Sequence, residues 1–207
     1  MNKEQPELRV YAIVDRMEAQ YAAITATVAR GDVPLPGMAQ LYLEVAPGSS
    51  VLSLLDAALK STAARPGFQI LEREFGQVEI HSHHIDEVQE AGRCMLERAG
   101  LSEQQRLRPQ VVSTQLVTNV DAYQAQLINR DRHGALLLPG DSLFVMEVEP
   151  AGYVVLAANA AERNADVKLV TFDPVGRYGR LYLAGEQSAV RSGREAAERA
   201  IEENAAR

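Results

Sequence analysis

Apolar and polar positions along the chain follow two alternating periods. LRVYAIV (8–14), LYLEVA (41–46), FQILER (68–73) and QVEIHS (77–82) are short β-rich runs, the first with the every-second-residue alternation of a half-buried strand. Between them, MEAQYAAITATVA (17–29), VLSLLDAALKSTAA (51–64) and DEVQEAGRCMLERA (86–99) have helical composition and spacing. Pro and Gly punctuate the changes of period. RGDVPLPG (30–37) breaks the chain, Pro47-Gly48-Ser49-Ser50 makes a turn and helix start, and Gly76 sits between two strands that read as a hairpin. The order is therefore β-α-β-α-β-β-α.

The same order then occurs again. Strands are predicted near 111–117, 142–149, 167–172 and 180–184, and helices near 119–132, 151–163 and 186–203. A shift of 103 residues aligns Pro36-Gly37 with Pro139-Gly140, Glu44-Val45 with Glu147-Val148, Pro47 with Pro150, and Phe75-Gly76 with Tyr178-Gly179. Beyond residue 80 the offset falls to 101, bringing Glu97-Arg98-Ala99 onto Glu198-Arg199-Ala200. A period this long excludes short-repeat solenoids, whose units span roughly 20–50 residues. The chain reads as two tandem α/β domains, 1–104 and 105–207, each placing helices on a mostly antiparallel sheet. The polar stretch LSEQQRLRPQ (101–110) joins them.

Composition narrows the function classes. The 207 residues carry a net charge of −7, which argues against a nucleic-acid partner. The charge is uneven: 9 Lys/Arg against 15 Asp/Glu in 1–104, and 12 against 13 in 105–207. The copies have kept a fold pattern while diverging electrostatically. No apolar run reaches the ~18 residues of a membrane span, and the N-terminus lacks a signal-peptide core, so a cytosolic protein is expected. Nucleotide-binding glycine fingerprints, Gly-x-Ser-x-Gly and HExxH are absent, so neither catalysis nor a cofactor is expected.

The ordered series LRVYAIVDRMEAQYAAITATVARGDVPLPG, ILEREFGQVEIHS, NVDAYQAQLINRDRHG and EPAGYVVLAANAAERNADVKL followed by GRYGRLYLAGE resembles the tandem-domain shell proteins of bacterial microcompartments. The likeness is to the circularly permuted, trimer-forming kind, in particular the gated carboxysomal subgroup, and runs from Leu8 to Ile201. It implies two permuted ferredoxin-like shell domains and a homotrimeric pseudo-hexagonal disc in the shell. Edge contacts with other shell proteins, passage of small anionic metabolites, and face-to-face stacking of two trimers are implied as well. By the same match the pore loops are Glu72, Arg73, Glu74, Phe75 and Gly76 in the first half and Pro174, Val175, Gly176, Arg177, Tyr178 and Gly179 in the second. Adjacent Glu and Arg residues open and close the pore in gated members, and Glu72 and Arg73 stand there. The second loop joins glycine amides to a cationic Arg177. The two loops differ, so only three-fold symmetry is expected of the opening.

Other candidates are weaker. His81 and His83, at i and i+2, would share a strand face, but without matching Cys or carboxylate partners they read as a solvated strand end rather than a metal site. His133 reads as a helix C-terminal cap, and Cys94 as a small buried helix residue. Arg16, Arg130 and Arg132 are either disc-edge contacts or a solvated helix face. Simple shell hexamers tile through an edge lysine, and the lysines here are Lys3, Lys60 and Lys168. Two readings from other classes stand beside the shell protein: a small-molecule-binding regulator built from duplicated ferredoxin-like domains, and a His-dependent metalloenzyme.

Overall fold

The computed structural model describes residues 5–206 and contains two four-stranded antiparallel sheets. The first is ordered β1-β2-β4-β3 from β1 (Glu7–Val14), β2 (Ala39–Ala46), β3 (Arg65–Glu72) and β4 (Phe75–Ser82). The second is ordered β5-β6-β8-β7 from β5 (Gln110–Val117), β6 (Ser142–Glu149), β7 (Lys168–Asp173) and β8 (Gly179–Gly185). The helices are α1 (Ala19–Val28), α2 (Ser50–Ser61), α3 (Ile85–Ala99), α4 (Ala122–Asn129), α5 (Val154–Asn164) and α6 (Gln187–Ala206).

The repeat extends to the irregularities. Bulges fall between Leu8 and Val10 in β1 and between Val111 and Ser113 in β5. They fall again between Pro66 and Phe68 in β3 and between Leu169 and Thr171 in β7. Each pair is 103 residues apart. Gly37 and Gly140 adopt φ 88° and 89°, the left-handed region that glycine enters without a Cβ clash. Both sheets therefore share one register.

Element boundaries moved for local reasons. α2 ends at Ser61 rather than running to 64, because Thr62 is extended at φ −137°, ψ 165° and its hydroxyl donates to the Ala58 carbonyl. Pro66 follows, and the residue before a proline is held extended, so β3 already begins at Arg65. α4 spans 122–129 rather than 119–132: Asn119 has φ 54°, and Asp121 caps the helix by accepting from Tyr123 N at 2.8 Å. The linker forms one short 3-10 turn, Glu103–Gln105, and is tied back by Leu107 N donating to Leu8 O.

Chain contacts divide the molecule into two compact units, residues up to Met17 with Val28–Leu107, and Glu18–Thr27 with the chain from Arg108 onward. In the first unit, Leu41, Leu43, Val45, Val78 and Ile80 meet α2 and α3 through Val51, Leu54, Leu55, Val88, Ala91 and Met95. The alternate positions of the central strands carry Gln40, Glu44, Gln77, Glu79 and His81, all buried. The Glu79 carboxylate accepts from Gly67 N at 3.0 Å and Gln40 Nε2 at 3.1 Å and meets His81 Nδ1 at 3.0 Å. His81 Nε2 reaches Asp32 at 3.3 Å. Gly67 is required here because a Cβ would strike the Glu79 carboxylate. Burial alone would lower the His81 pKa, but hydrogen bonds and charges from Glu79 and Asp32 overcome it and raise the value above the usual 6.5.

The second unit takes α1 from the first repeat. Packed there, Tyr21 stacks on Phe172 with ring centroids 4.9 Å apart and planes 2° from parallel, and Ile24 is 1% exposed. The first amides of α1 find acceptors on α5: Asn159 Oδ1 takes Glu18 N at 2.9 Å, and the Glu162 carboxylate takes Gln20 N at 2.7 Å and Tyr21 N at 2.8 Å. A helix start leaves such donors without intrahelical partners and favours a negative charge beside them. The Gln20 side chain adds a two-way bridge to the β7 edge, donating to Val167 O at 2.8 Å and accepting from Leu169 N at 2.9 Å.

Glu162→Ala should lower stability by about 1–3 kcal/mol by orphaning two amides, read as a lower urea midpoint at unchanged m value. Raised above its unfolded value, the His81 pKa contributes stability that is complete below pH 6.5 and is lost as pH climbs through the folded value. Thermal midpoints measured across that range should fall for the natural protein and stay flatter for His81→Gln. Equal slopes would remove His81 as their source.

Candidate pore-loop site

In the first unit, β3 and β4 pair up to Glu72 and Phe75, leaving Arg73 and Glu74 as a two-residue tip. Arg73 has φ 34°, at the first central position, where two-residue hairpin turns that need a positive φ favour Gly or Asn. An arginine there carries a steric cost of about 1–2 kcal/mol. Its side chain is 91% exposed and its Nε lies 3.7 Å from Glu72 Oε1. Phe75 lies under the Arg9 guanidinium, 3.8 Å from ring centroid to Cζ, a cation–π contact that holds the base of the tip.

The second unit has a longer tip, residues 174–178, between β7 and β8. Asp173 accepts from Val175 N at 2.9 Å, and Gly176, at φ 98°, is the positional counterpart of Arg73. Arg177 is 73% exposed, its Nε 3.4 Å from Glu149 Oε1 and its guanidinium 5.1 Å from the Tyr178 ring centroid. Gly76 and Gly179 serve the base of each tip rather than its flexibility. A Cβ at Gly76 would collide with the Gly48 carbonyl, and one at Gly179 with that of Ala151. Gly48 N also donates to Glu74 O at 3.0 Å, so the turn after β2 clamps the first hairpin.

Beneath the first tip lies an ion pair that the sequence reading missed. Glu44, fully buried, accepts from Arg9 Nε and Gln77 Nε2, each at 2.8 Å. Burial drives its pKa up, opposed by the bonds from Arg9 and Gln77, and the net direction is up. The second unit keeps Glu147 at the matching position but draws its arginine from β8: Arg180 Nε lies 2.9 Å from Glu147 Oε1. The hydrogen bond from Arg180 holds the Glu147 carboxyl below its usual range. The signal was available as polar residues at every second position of otherwise apolar strands, Gln40 with Glu44 and Gln77 with Glu79 and His81.

The remaining candidates fall elsewhere. His81 is buried in the Glu79–Asp32 network and is not a solvated strand end, while His83 lies beyond the end of β4. Among the described residues no group of three or more His, Cys, Asp or Glu side chains is arranged to hold a metal ion. His133 lies past the end of α4 with Nδ1 3.2 Å from Thr171 Oγ1, because the helix stops at Asn129. Cys94 is only half-buried on α3. Lys60 pairs with Asp56 at 2.6 Å and Lys168 with Asp141 at 2.8 Å, while Lys3 lies outside the described residues. No helix among the described residues is long and apolar enough to cross a membrane.

Comparison with known proteins bears on both halves. The family model described as the CsoS1D N-terminal domain matches residues 8–105. The chain is 45% identical to the carboxysome shell protein CcmP of Synechococcus elongatus, over 95% of this chain and 92% of that one. It is 43% identical to the carboxysome shell protein CsoS1D of Hydrogenovibrio crunogenus, over 94% and 96%. Two solved structures from the RMM microcompartment superpose closely. The fused permuted hexameric shell protein has a TM-score of 0.93 at 37% identity, covering 96% of this chain and 98% of that one. The double-ringed trimeric shell protein has a TM-score of 0.91 at 35% identity, covering 96% and 97%. The tandem domain order that the sequence repeat implied and the two matched sheets are those of permuted shell proteins, and the chain belongs to the CsoS1D-like family of carboxysome shell proteins.

Proposed function

We propose that this chain is a non-catalytic structural component of a microcompartment shell. It assembles as a homotrimer of paired shell domains, 1–104 and 105–207, around a central pore that small anionic metabolites cross and that Glu72 and Arg73 gate. The observation that carries the reading is the pairing of two hairpin tips at equivalent positions with unlike chemistry: a strained, exposed Arg73 beside Glu72 in one, and Gly176 with an exposed Arg177 in the other. A three-fold axis would gather three copies of each tip. Three guanidinium groups converging alone would repel, and a carboxylate beside each offsets that repulsion.

The energies suit a gate. An exposed ion pair contributes about 0–1 kcal/mol, and the left-handed backbone at Arg73 costs about 1–2 kcal/mol. Opposing terms of similar small size leave two loop states close in energy, so a modest ligand preference shifts the population. Arg177 and the Gly176 backbone give the second tip a positive, donor-rich surface suited to an anion. Face-to-face stacking of two discs belongs to the same reading and is in keeping with the double-ringed trimeric relative. Contacts with other shell proteins at the disc edge complete it.

Light scattering at low concentration should give about three or six times 22.6 kDa. A monomer or dimer would remove the axis and leave a ligand-binding regulator as the better account. Replacing both Glu72 and Arg73 by Ala should leave the trimer intact and fix the pore open in cryo-EM maps; loss of the trimer would make the pair structural and end the gate reading. Arg73→Gly should raise stability by about 0.5–1 kcal/mol through relief of backbone strain, measured by chemical denaturation. A destabilised variant would refute that strain.

A further inference from the structure

Arg9 is the extra residue of the β1 bulge, lying between Leu8, which pairs with Val45, and Val10, which pairs with Glu44. A bulge re-aims the side chain it carries, and this one turns a guanidinium toward the base of the first hairpin tip. Nε donates to Glu44 at 2.8 Å, and Cζ lies 3.8 Å from the centroid of the Phe75 ring. Phe75 in turn pairs directly with Glu72, so both side chains leave the same face of the β3–β4 hairpin, their Cβ atoms about 5 Å apart. The Glu72 charge also reaches Glu44 and helps to push its pKa up, which sets the Glu72 carboxylate beside the same cluster. Arg9 thus serves one carboxylate directly, while a second rises from the position paired with the ring it covers.

We propose that Arg9 is the alternative cation of the gate: when Arg73 turns away from Glu72, the Glu72 side chain turns to Arg9 and pairs with it. This rests on the gate reading of the first tip and adds the positioning residue that lets Glu72 change partner. One ion pair is exchanged for another, so opening strands no carboxylate. Arg9 is suited to wait for it. Its side chain is only 12% exposed and is tied to the buried Glu44, so it belongs to the body of the domain and keeps its place while Arg73 moves.

The two copies support this assignment. Val112 stands at the position of Arg9 and Val175 at that of Glu72, so the second repeat lacks both charges together. Service to the Glu44 carboxylate does not by itself explain an arginine at position 9. The second repeat keeps Glu147 there and pairs it with Arg180, the counterpart of Gln77, so the fold can supply that cation from the strand after the tip. What position 9 adds is the place over Phe75, next to Glu72. In the second repeat the matching ring, Tyr178, takes its guanidinium from Arg177 in the tip itself, and no carboxylate stands there to be exchanged.

The test is cryo-EM of the assembled protein and its variants. In Arg73→Ala the Glu72 carboxylate should lie within about 4 Å of the Arg9 guanidinium; a Glu72 left in solvent would overturn the proposal. Removing Arg9 alone would strand Glu44, so the second variant copies the other repeat, Arg9→Val with Gln77→Arg, and keeps a cation for that carboxylate. It should lower the ratio of open to closed first tips about fivefold, the weight of one exposed ion pair. The same exchange made in a Glu72→Gln background should leave that background's ratio unchanged. An equal drop in both backgrounds would mean that Arg9 acts on the packing of the hairpin and not on Glu72, and the proposal would be wrong. A trimer whose first tip has one conformation in every particle would end the gate reading, and the Arg73→Ala map alone would then decide whether Arg9 receives Glu72.

Discussion

Much of the second unit depends on how the first turn of α1 is held. Three backbone donors, the amides of Glu18, Gln20 and Tyr21, meet Asn159 and Glu162 on α5, and Gln20 fastens the same turn to the β7 edge. Each such bond contributes only about 1 kcal/mol net, but together they fix where the helix starts and which face it buries. That face carries Tyr21 and Ile24, and burying a side chain of this size contributes about 1.5–3 kcal/mol. The polar contacts therefore give the apolar ones their address. Without an acceptor at the helix start, Tyr21 could cover β7 in several registers.

The two sheets show what duplication conserves and what it releases. Bulges, glycine turns and strand register recur at a constant spacing because they decide whether the chain can be threaded at all. Three of the buried polar positions on the alternate face of the first sheet do not recur. The first sheet buries Gln40, Glu79 and His81, where the second places Leu143, Tyr182 and Ala184. Glu44 and Glu147 keep their place while their arginines come from different strands, Arg9 on one side and Arg180 on the other. Glu44 is buried and Glu147 half-buried, and a carboxylate withdrawn from water needs a cation whichever neighbouring strand supplies it.

The repeat, the order of elements and the position of both hairpin tips were legible in the sequence, because each rests on period, on Gly and Pro, or on identity between the copies. Less legible was anything set by tertiary partners. α1 (AQYAAITATV) carries no charged residue, which signals burial, but nothing local says that its partner is Phe172, some 150 residues away. His81 looked solvated because its neighbours in sequence, Ser82, His83 and His84, are polar; Glu79 and Asp32 reach it through the fold. The left-handed backbone of Arg73 was hidden for the opposite reason. Sequence rules place glycine there, and this chain places glycine only in the second copy.

The clamp at Gly76 has a mechanical meaning. Because the carbonyl of Gly48 leaves no room for a side chain there, and Glu74 is tied to Gly48 N, a change of conformation at Arg73 has nowhere to travel. The strand beyond it is held by the turn that also starts α2. The tip is thus a two-residue turn on a fixed mount, insulated from the body of the domain.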